Sequence, residues 1–180
     1  MRYLSCDPRA ETLGASALLV VRHLKDQRAG RIMEKYGLPG IRPGEWIPAH
    51  RLLDALNEIG QEPDPTFDAV ALGIEVGKTM EVAIADPSLA DMLMAWNAMY
   101  QSLHRNADVG RIVCDRVDTR HYQLTFTDLY ADDFNYGLLY GFAQRFLPAG
   151  THFTIYYDPG VTPRDRGGRL GYTVIHIRWG

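Results

Sequence analysis

The stretch HYQLTFTDLYADDFNYGLLYGFAQRFLPAG, residues 121–150, decides the fold, because a strand pattern runs directly into a helix pattern within it. Tyr122, Leu124 and Phe126 alternate with polar residues, which is the pattern of a strand that buries one face. From Asp132 onward, apolar residues recur at helical spacing until a proline and a glycine stop them. The stretch therefore predicts a half-buried strand followed by a helix.

Strand patterns on both sides of this stretch complete a larger unit. Residues 109–117 predict the hairpin partner of the first strand, and residues 151–157 and 172–179 predict a second hairpin after the helix. Arginines and glycines over residues 161–169 predict a solvated hairpin tip between the last two strands. The predicted fold class is α+β, with an N-terminal helical bundle packed on an antiparallel sheet built as β-β-α-β-β.

The N-terminal half predicts the helices that cover this sheet. We expect a helical part over residues 12–106 and a ββαββ part over residues 108–180, within a single domain that spans residues 1–180. Residues 40–47 are predicted to form a loop and residues 61–65 a linker, because both are rich in glycine, proline or polar residues.

The most regular helix pattern follows Asp86, a good N-cap, with Pro87 at the first helical position. Pro48 is likewise predicted in the first turn of an earlier helix, where its missing N–H costs nothing. The apolar stripe of the later and longer helix consists of Leu89, Leu93, Trp96, Met99, Tyr100 and Leu103.

Two pairs of glycines lie four residues apart in predicted helices. Gly73 and Gly77 would each cost a helix about 1 kcal/mol, so we expect another element to pack closely on their face. Gly137 and Gly141 also admit a close neighbour, because no side chain projects along that line. The pattern leaves open whether that neighbour is the protein's own sheet or a second copy in a homodimer.

The charge balance excludes several classes of partner. Lys and Arg number 19 against 22 Asp and Glu, a net charge of −3, which offers no general attraction for nucleic acid or an anionic membrane. No long apolar run predicts a membrane span, and we expect a cytoplasmic protein. Cys6 and Cys114 are far apart and lack metal-site spacing, which fits a reducing compartment.

One histidine has a position that favours a site. His104 follows the stripe of the longest helix and lies four residues beyond Tyr100, at the edge of the apolar face. A single axial haem ligand needs no second histidine nearby. The alternative is a partly buried histidine that caps the helix end, where the helix dipole would favour its charge.

Other ionisable residues do not predict an enzyme. The remaining histidines lack metal-ligand spacing, and the sequence has no nucleophile elbow, Walker loop or zinc-protease helix. Asp132 and Asp133 are predicted as charges that favour a helix N-terminus. Five aspartates cluster in sequence around the predicted strand ends and the helix start: Asp115, Asp118, Asp128, Asp132 and Asp133.

Five short motifs carry a resemblance to a known group. They are GASAL (14–18), WIP (46–48), DVGR (108–111), FNYG (134–137) and GGRLGY (167–172). Together they resemble the superfamily of four-vinyl-reductase sensor domains, effector-binding domains of aromatic-responsive activators and haem nitric oxide/oxygen-binding (H-NOX) domains, and uncharacterised bacterial members in particular. The resemblance implies a small-molecule pocket between helices and sheet, and often dimerisation.

Two departures from that group shape the expectation for cofactors. Gly171 stands where four-vinyl-reductase members commonly carry a cysteine, so no metal site built on that cysteine is expected. His104 resembles the haem-ligating histidine of H-NOX members, but Leu124, Phe126 and Asp128 occupy the positions of their Tyr-x-Ser-x-Arg motif, which holds the haem propionates. An aspartate repels what the arginine attracts, so no cofactor is expected, with haem as the alternative.

These observations predict a noncatalytic, cytoplasmic sensor domain that binds a small, mainly apolar molecule. A homodimer and a signalling partner protein are the expected macromolecular partners. The first alternative is a haem-based NO/O₂ sensor with His104 as proximal ligand, and the second is a dimerisation or protein-interaction module without ligand. The predicted ligand-binding residues are Trp96, Met99, Tyr100, His104, Phe126, Phe134, Leu138 and Phe153.

Overall fold

The computed structural model of this chain describes residues 7–24, 27–61 and 68–180. Apart from Gln61, the predicted linker lies outside the described residues, as does Cys6. The helices in the described part are α1 (Gly14–Val21), α2 (Gln27–Lys35), α3 (Ala49–Gln61), α4 (Ala69–Thr79), α5 (Leu89–Ser102) and α6 (Asp132–Phe146). The strands are β1 (Glu11–Leu13), β2 (Trp46–Pro48), β3 (His104–Arg105), β4 (Ile112–Asp118), β5 (His121–Phe126), β6 (Phe153–Tyr157) and β7 (Thr173–Trp179).

The four C-terminal strands form one antiparallel sheet in the order β4-β5-β7-β6, and α6 connects its two hairpins. Leu124 lies opposite Cys114 on one side and Ile175 on the other, and both Leu124 and Ile175 are fully buried. Helices α5 and α6 contact the sheet, and α4 packs on α6. The predicted α+β class and the ββαββ order are therefore confirmed, whereas a single domain over residues 1–180 stays a prediction.

A second, three-stranded sheet in the order β2-β1-β3 was not expected from the sequence. Thr12 in β1 lies opposite Ile47 on one side and His104 on the other. The predicted loop over residues 40–47 is therefore wrong at its end, where Trp46 and Ile47 are in a strand. Strands of two or three residues are too short to show the alternation that identifies a strand.

Two predicted helix starts are one or two residues too early. The N-cap of α5 is Ser88, whose hydroxyl accepts from the backbone N–H of Asp91 while the Asp91 side chain accepts from the Ser88 backbone N–H. Asp86 instead has a positive φ of 45°, which suits a turn. Pro48 ends β2, and α3 begins at Ala49.

The two glycine pairs face each other where α4 crosses α6. A Cβ on Gly77 would stand 2.7 Å from the carbonyl oxygen of Leu138, and one on Gly73 would stand 3.0 Å from Cα of Gly137. The close approach expected on the face of Gly73 and Gly77 is therefore confirmed. The neighbour of Gly137 and Gly141 is α4, which is neither the sheet nor a second copy, so this surface is not available for a homodimer.

Candidate functional site

A cavity of about 600 Å³ lies between α1, the segment that follows α4, α5 and the start of α6. Leu18 and Leu19 of α1, together with Met80 and Val82 after α4, supply apolar parts of its wall. Six of the eight predicted ligand-binding residues line it: Trp96, Met99, Tyr100, His104, Phe134 and Leu138. Their contact with a ligand stays a prediction.

The other two predicted residues are not in the cavity lining. Phe126 is fully buried and packs edge-to-face against Trp96, with ring centroids 5.3 Å apart, and of these two residues only Trp96 lines the cavity. Phe153 is on edge strand β6, and its ring packs against Tyr140 at 5.0 Å. Both have the alternation of inward-facing strand residues, but that pattern does not distinguish a core position from a cavity wall.

His104 is fixed between the end of α5 and the segment that precedes α6. Its Nδ1 lies 2.8 Å from the carbonyl oxygen of Tyr100, and its Nε2 lies 3.3 Å from the hydroxyl of Tyr130. A carbonyl only accepts, so Nδ1 carries the hydrogen and Nε2 presents a lone pair. His104 is in β3 rather than on the helix, but it contacts the carbonyl of Tyr100 in the last turn of α5, as the capping alternative requires.

The charge that the capping alternative assumed is not favoured at His104. The side chain is 7% exposed, and burial lowers the pKa of His104 below its ordinary value even though the Tyr100 carbonyl opposes the shift. The imidazole is therefore neutral at physiological pH. A neutral imidazole with Nδ1–H bonded to a backbone carbonyl is also the state in which histidine binds a metal through Nε2.

Tyr100 joins the two chain segments that flank the first hairpin. Its hydroxyl donates to the carbonyl oxygen of Val109 at 2.6 Å and accepts from the backbone N–H of Leu129 at 3.2 Å. Burial, with a smaller contribution from Asp128, raises the pKa of Tyr100 far above its ordinary value. The phenol is therefore a permanent donor that fixes the wall of the cavity.

Asp128 and Asn135 form the polar end of the cavity, and neither was among the predicted ligand-binding residues. The amide Nδ2 of Asn135 lies 3.0 Å from both carboxylate oxygens of Asp128. Burial raises the pKa of Asp128 to about 6, although Arg164 and Asn135 both oppose the shift. The spacing of seven residues gives no sequence signal for this pair, because it spans a loop and the start of α6.

Arg164 binds the carboxylates at this end of the molecule. Its guanidinium lies 3.2 Å from Asp128 and 2.7 Å from Asp132, and its side chain is only 4% exposed. Asp132 also accepts from the backbone N–H of Asp165 at 3.1 Å and from the Thr173 hydroxyl. The prediction of a solvated hairpin tip is therefore wrong for Arg164, and Asp132 is a buried ion-pair partner as well as a residue of the first turn of α6.

Two buried side-chain polar atoms have no hydrogen-bond partner within residues 7–24, 27–61 and 68–180. They are Oγ of Ser16 and Oδ1 of Asn135, and both residues line the same cavity. Buried polar groups in folded proteins are nearly always paired, so unpaired ones call for an explanation. A cavity that holds a partner molecule provides one.

Comparison with known proteins places the fold. No family model and no curated protein matches the sequence. An H-NOX protein from S. oneidensis in the Fe(II) ligation state is 14% identical, with a TM-score of 0.64 over 93% of this chain and 96% of that one. A protein studied for haem redox potential and porphyrin distortion is 15% identical, with a TM-score of 0.61 over 93% and 98%. An oxygen-binding H-NOX domain related to soluble guanylate cyclases is 14% identical, with a TM-score of 0.57 over 91% and 92%.

The chain therefore has an H-NOX-like fold, and this part of the predicted resemblance is confirmed. The four-vinyl-reductase part stays a prediction. None of the helices in the described segments is long and apolar enough to cross a membrane. The same segments contain no group of three or more His, Cys, Asp or Glu side chains that could hold a metal ion.

The residues of the cavity fit haem only in part. His104 offers a neutral Nε2 of the kind that ligates iron. The polar end, however, presents the Asp128 carboxylate and an acceptor oxygen of Asn135, and neither stabilises the carboxylates of a haem. Arg164, the nearby cation, is already bound by Asp128 and Asp132. His104 could therefore ligate iron only in exchange for its Tyr130 contact, and Asp128 and Asn135 do not suit the carboxylates of a haem, for which Arg22 is the cation among the described lining residues.

Proposed function

We propose that this protein is a noncatalytic sensor domain that binds a small, mainly apolar molecule in the cavity beside His104. The observation that carries the proposal is a cavity of about 600 Å³ whose lining is mostly apolar and includes a smaller number of polar and charged side chains, among them Asp128 and Asn135. This size falls in the range of small-molecule sites, and such sites combine apolar walls with a few polar groups that orient the ligand. The unpaired Ser16 and Asn135 atoms support the same function, because a bound molecule would pair them.

Filling the cavity tests this proposal. Met99 lines the cavity and Met94 is exposed on the same helix, so Met99→Trp and Met94→Trp add the same side chain inside and outside the site. We expect mass spectrometry of the denatured extract to find a stoichiometric small molecule in the wild type and in Met94→Trp, and none in Met99→Trp. An extract that is empty for all three proteins, together with no binding of added apolar probes, would contradict the proposal.

A haem-based gas sensor is the second candidate, and the geometry of His104 is the observation that favours it. The Nδ1–H bond to Tyr100 leaves Nε2 without a hydrogen, so Nε2 could ligate iron in exchange for its contact with the Tyr130 hydroxyl. This candidate ranks second because Asp128 and Asn135 present acceptors to the cavity, and acceptors do not stabilise the carboxylates of a haem. A visible absorption spectrum after haem-supplemented expression tests it: a Soret band lost in His104→Ala would establish haem, and a colourless protein would reject it.

We further propose that the signal passes by contact with a partner protein or a second copy in the cytoplasm. A homodimer would have to use a surface other than the glycine face of α6, because α4 covers that face. Light scattering at micromolar concentration tests the dimer, with a mass of 20.3 kDa expected for a monomer and twice that for a homodimer.

A further inference from the structure

We infer that the part of the cavity formed by Asp128 and Asn135 selects a ligand that carries a hydrogen-bond donor, a hydroxyl or an N–H group, and rejects an anion there. This inference rests on the proposed function and names the chemical class of its ligand. It follows from the polar groups that α6 and the preceding segment present to the cavity, which are acceptors with spare lone pairs.

Asn135 supplies the first spare acceptor. The orientation of its amide follows from its partners, because only the N–H₂ side can donate to both oxygens of the Asp128 carboxylate. This orientation leaves Oδ1 as an acceptor, and no described donor reaches it. The side chain is 1% exposed, so bulk water does not supply the missing donor.

Asp128 supplies the second spare acceptor. Its Oδ1 accepts from Asn135 and Arg164, whereas its Oδ2 accepts from Asn135 alone. A carboxylate has about four lone-pair directions, so Oδ2 can accept one more donor. Asp128 lines the cavity with Asn135, and the hydrogen bonds from Asn135 Nδ2 hold the two side chains together.

Among the described residues, Arg164 is the cation beside these acceptors; Arg22 also lines the cavity, but from the end of α1. The guanidinium of Arg164 donates to the carboxylates of Asp128 and Asp132 and to the backbone carbonyls of Asp128 and Tyr130, which engages the hydrogens of Nε and Nη2 and one hydrogen of Nη1. His104 is neutral, and its Nε2 accepts. A ligand carboxylate or phosphate placed at Asp128 and Asn135 would therefore meet like charge and acceptors, while a hydroxyl or N–H would find partners there.

The experiment compares three naphthalene probes of nearly equal size by isothermal titration of the full chain. The probes are 1-naphthol, which has a donor, 1-methoxynaphthalene, which has none, and 1-naphthoate, which is an anion. We expect 1-naphthol to bind at least tenfold more tightly than 1-methoxynaphthalene, a difference of about 1.4 kcal/mol, and 1-naphthoate to bind most weakly.

Asn135→Leu removes the acceptor, and we expect it to bring the ratio between 1-naphthol and 1-methoxynaphthalene close to one. Asn97→Leu is the matched control, because Asn97 accepts from the Ile112 N–H and is outside the cavity lining. This control should keep the wild-type ratio. If Asn135→Leu fails to fold by circular dichroism, the ranking of the probes on the wild type decides alone.

The outcomes of these titrations distinguish the preference for a donor from the proposed binding of a small molecule in the cavity. Equal affinity for 1-naphthol and 1-methoxynaphthalene, or tightest binding of 1-naphthoate, would overturn this inference and leave the apolar cavity standing. Failure of every probe to bind would overturn the proposed function and this inference with it. The expected ranking, lost only in Asn135→Leu, would assign Asn135 as the residue that determines specificity.

Discussion

Substitution of Gly137 by alanine should destabilise the protein, because the added methyl group has no room at the crossing of α4 and α6. A Cβ at this position would stand 2.9 Å from the carbonyl carbon of Val70 and 3.0 Å from Cα of Gly73. Carbon atoms in contact normally lie about 3.5–4.0 Å apart. The obstacles are backbone atoms, which cannot rotate away as a side chain can, so the two helices would have to separate by roughly 0.5–1 Å.

The size of the effect follows from two opposing contributions. Overpacking of a well-packed contact costs about 1–3 kcal/mol, and here the upper part of that range applies because both contacts are with backbone. Replacement of a helical glycine by alanine raises the free energy of unfolding by up to about 1 kcal/mol, because alanine has the higher helix propensity. We therefore expect the free energy of unfolding to fall by about 2 kcal/mol, which lowers Tm by roughly 4–8 °C in a chain of this length.

Thermal unfolding followed by circular dichroism measures this effect, and Gly30→Ala is its control. Gly30 lies inside α2, and a Cβ there would meet no atom within 4 Å, so this variant gains helix propensity without a clash. We expect Gly30→Ala to raise the free energy of unfolding by about 0.5–1 kcal/mol. Equal stabilisation by Gly137→Ala and Gly30→Ala would refute the close helix crossing.

Two further predictions concern the buried charges beside the cavity. Arg164→Met leaves the carboxylates of Asp128 and Asp132 without a cation and should lower the free energy of unfolding by about 3–5 kcal/mol. Arg166→Met loses only an exposed pair with Asp133 and should change that free energy by less than about 1 kcal/mol. Urea titrations measure both effects, and similar losses would show that the buried ion pair contributes no more than the exposed one. Burial and the charge of Asp132 raise the pKa of Asp165 to about 6, so this carboxyl favours the folded state below about pH 4 and that contribution is lost as the pH rises through 6. Asp165→Asn removes this loss, so the free energy of unfolding of the variant should increase relative to that of the wild type by about 1 kcal/mol between pH 4 and pH 7. A difference between the two proteins that does not change with pH would contradict this assignment.

The parts of the fold that follow from short-range patterns could be predicted from the sequence. The alternation of Tyr122, Leu124 and Phe126 identified β5, and the four-residue spacing of Gly73 and Gly77 indicated a close helix contact. The partner across that contact could not be predicted, because a glycine pair records a missing side chain and not what occupies the space. The strands at Glu11 and at His104 are too short to give a pattern at all.

The candidate site was predictable only where it coincides with a helix stripe. Trp96, Met99 and Tyr100 belong to the apolar face of α5, so periodicity found them, but it could not tell that Phe126 packs behind Trp96. The polar end depends on Arg164, which is 36 residues from Asp128 in the chain. An ion pair across that separation leaves no local spacing to recognise, so the sequence pattern placed Arg164 in a solvated hairpin tip.

The electron density in the cavity of a crystal structure tests the central claim most directly. The crystals should be grown from protein expressed with added haem, and diffraction should be recorded on both sides of the iron absorption edge. We predict density for a small, iron-free molecule among Met99, His104 and Leu138, with one of its polar atoms within hydrogen-bond distance of Asn135 Oδ1. A planar group with an anomalous iron peak beside His104 Nε2, or a cavity that contains only ordered water, would contradict the account.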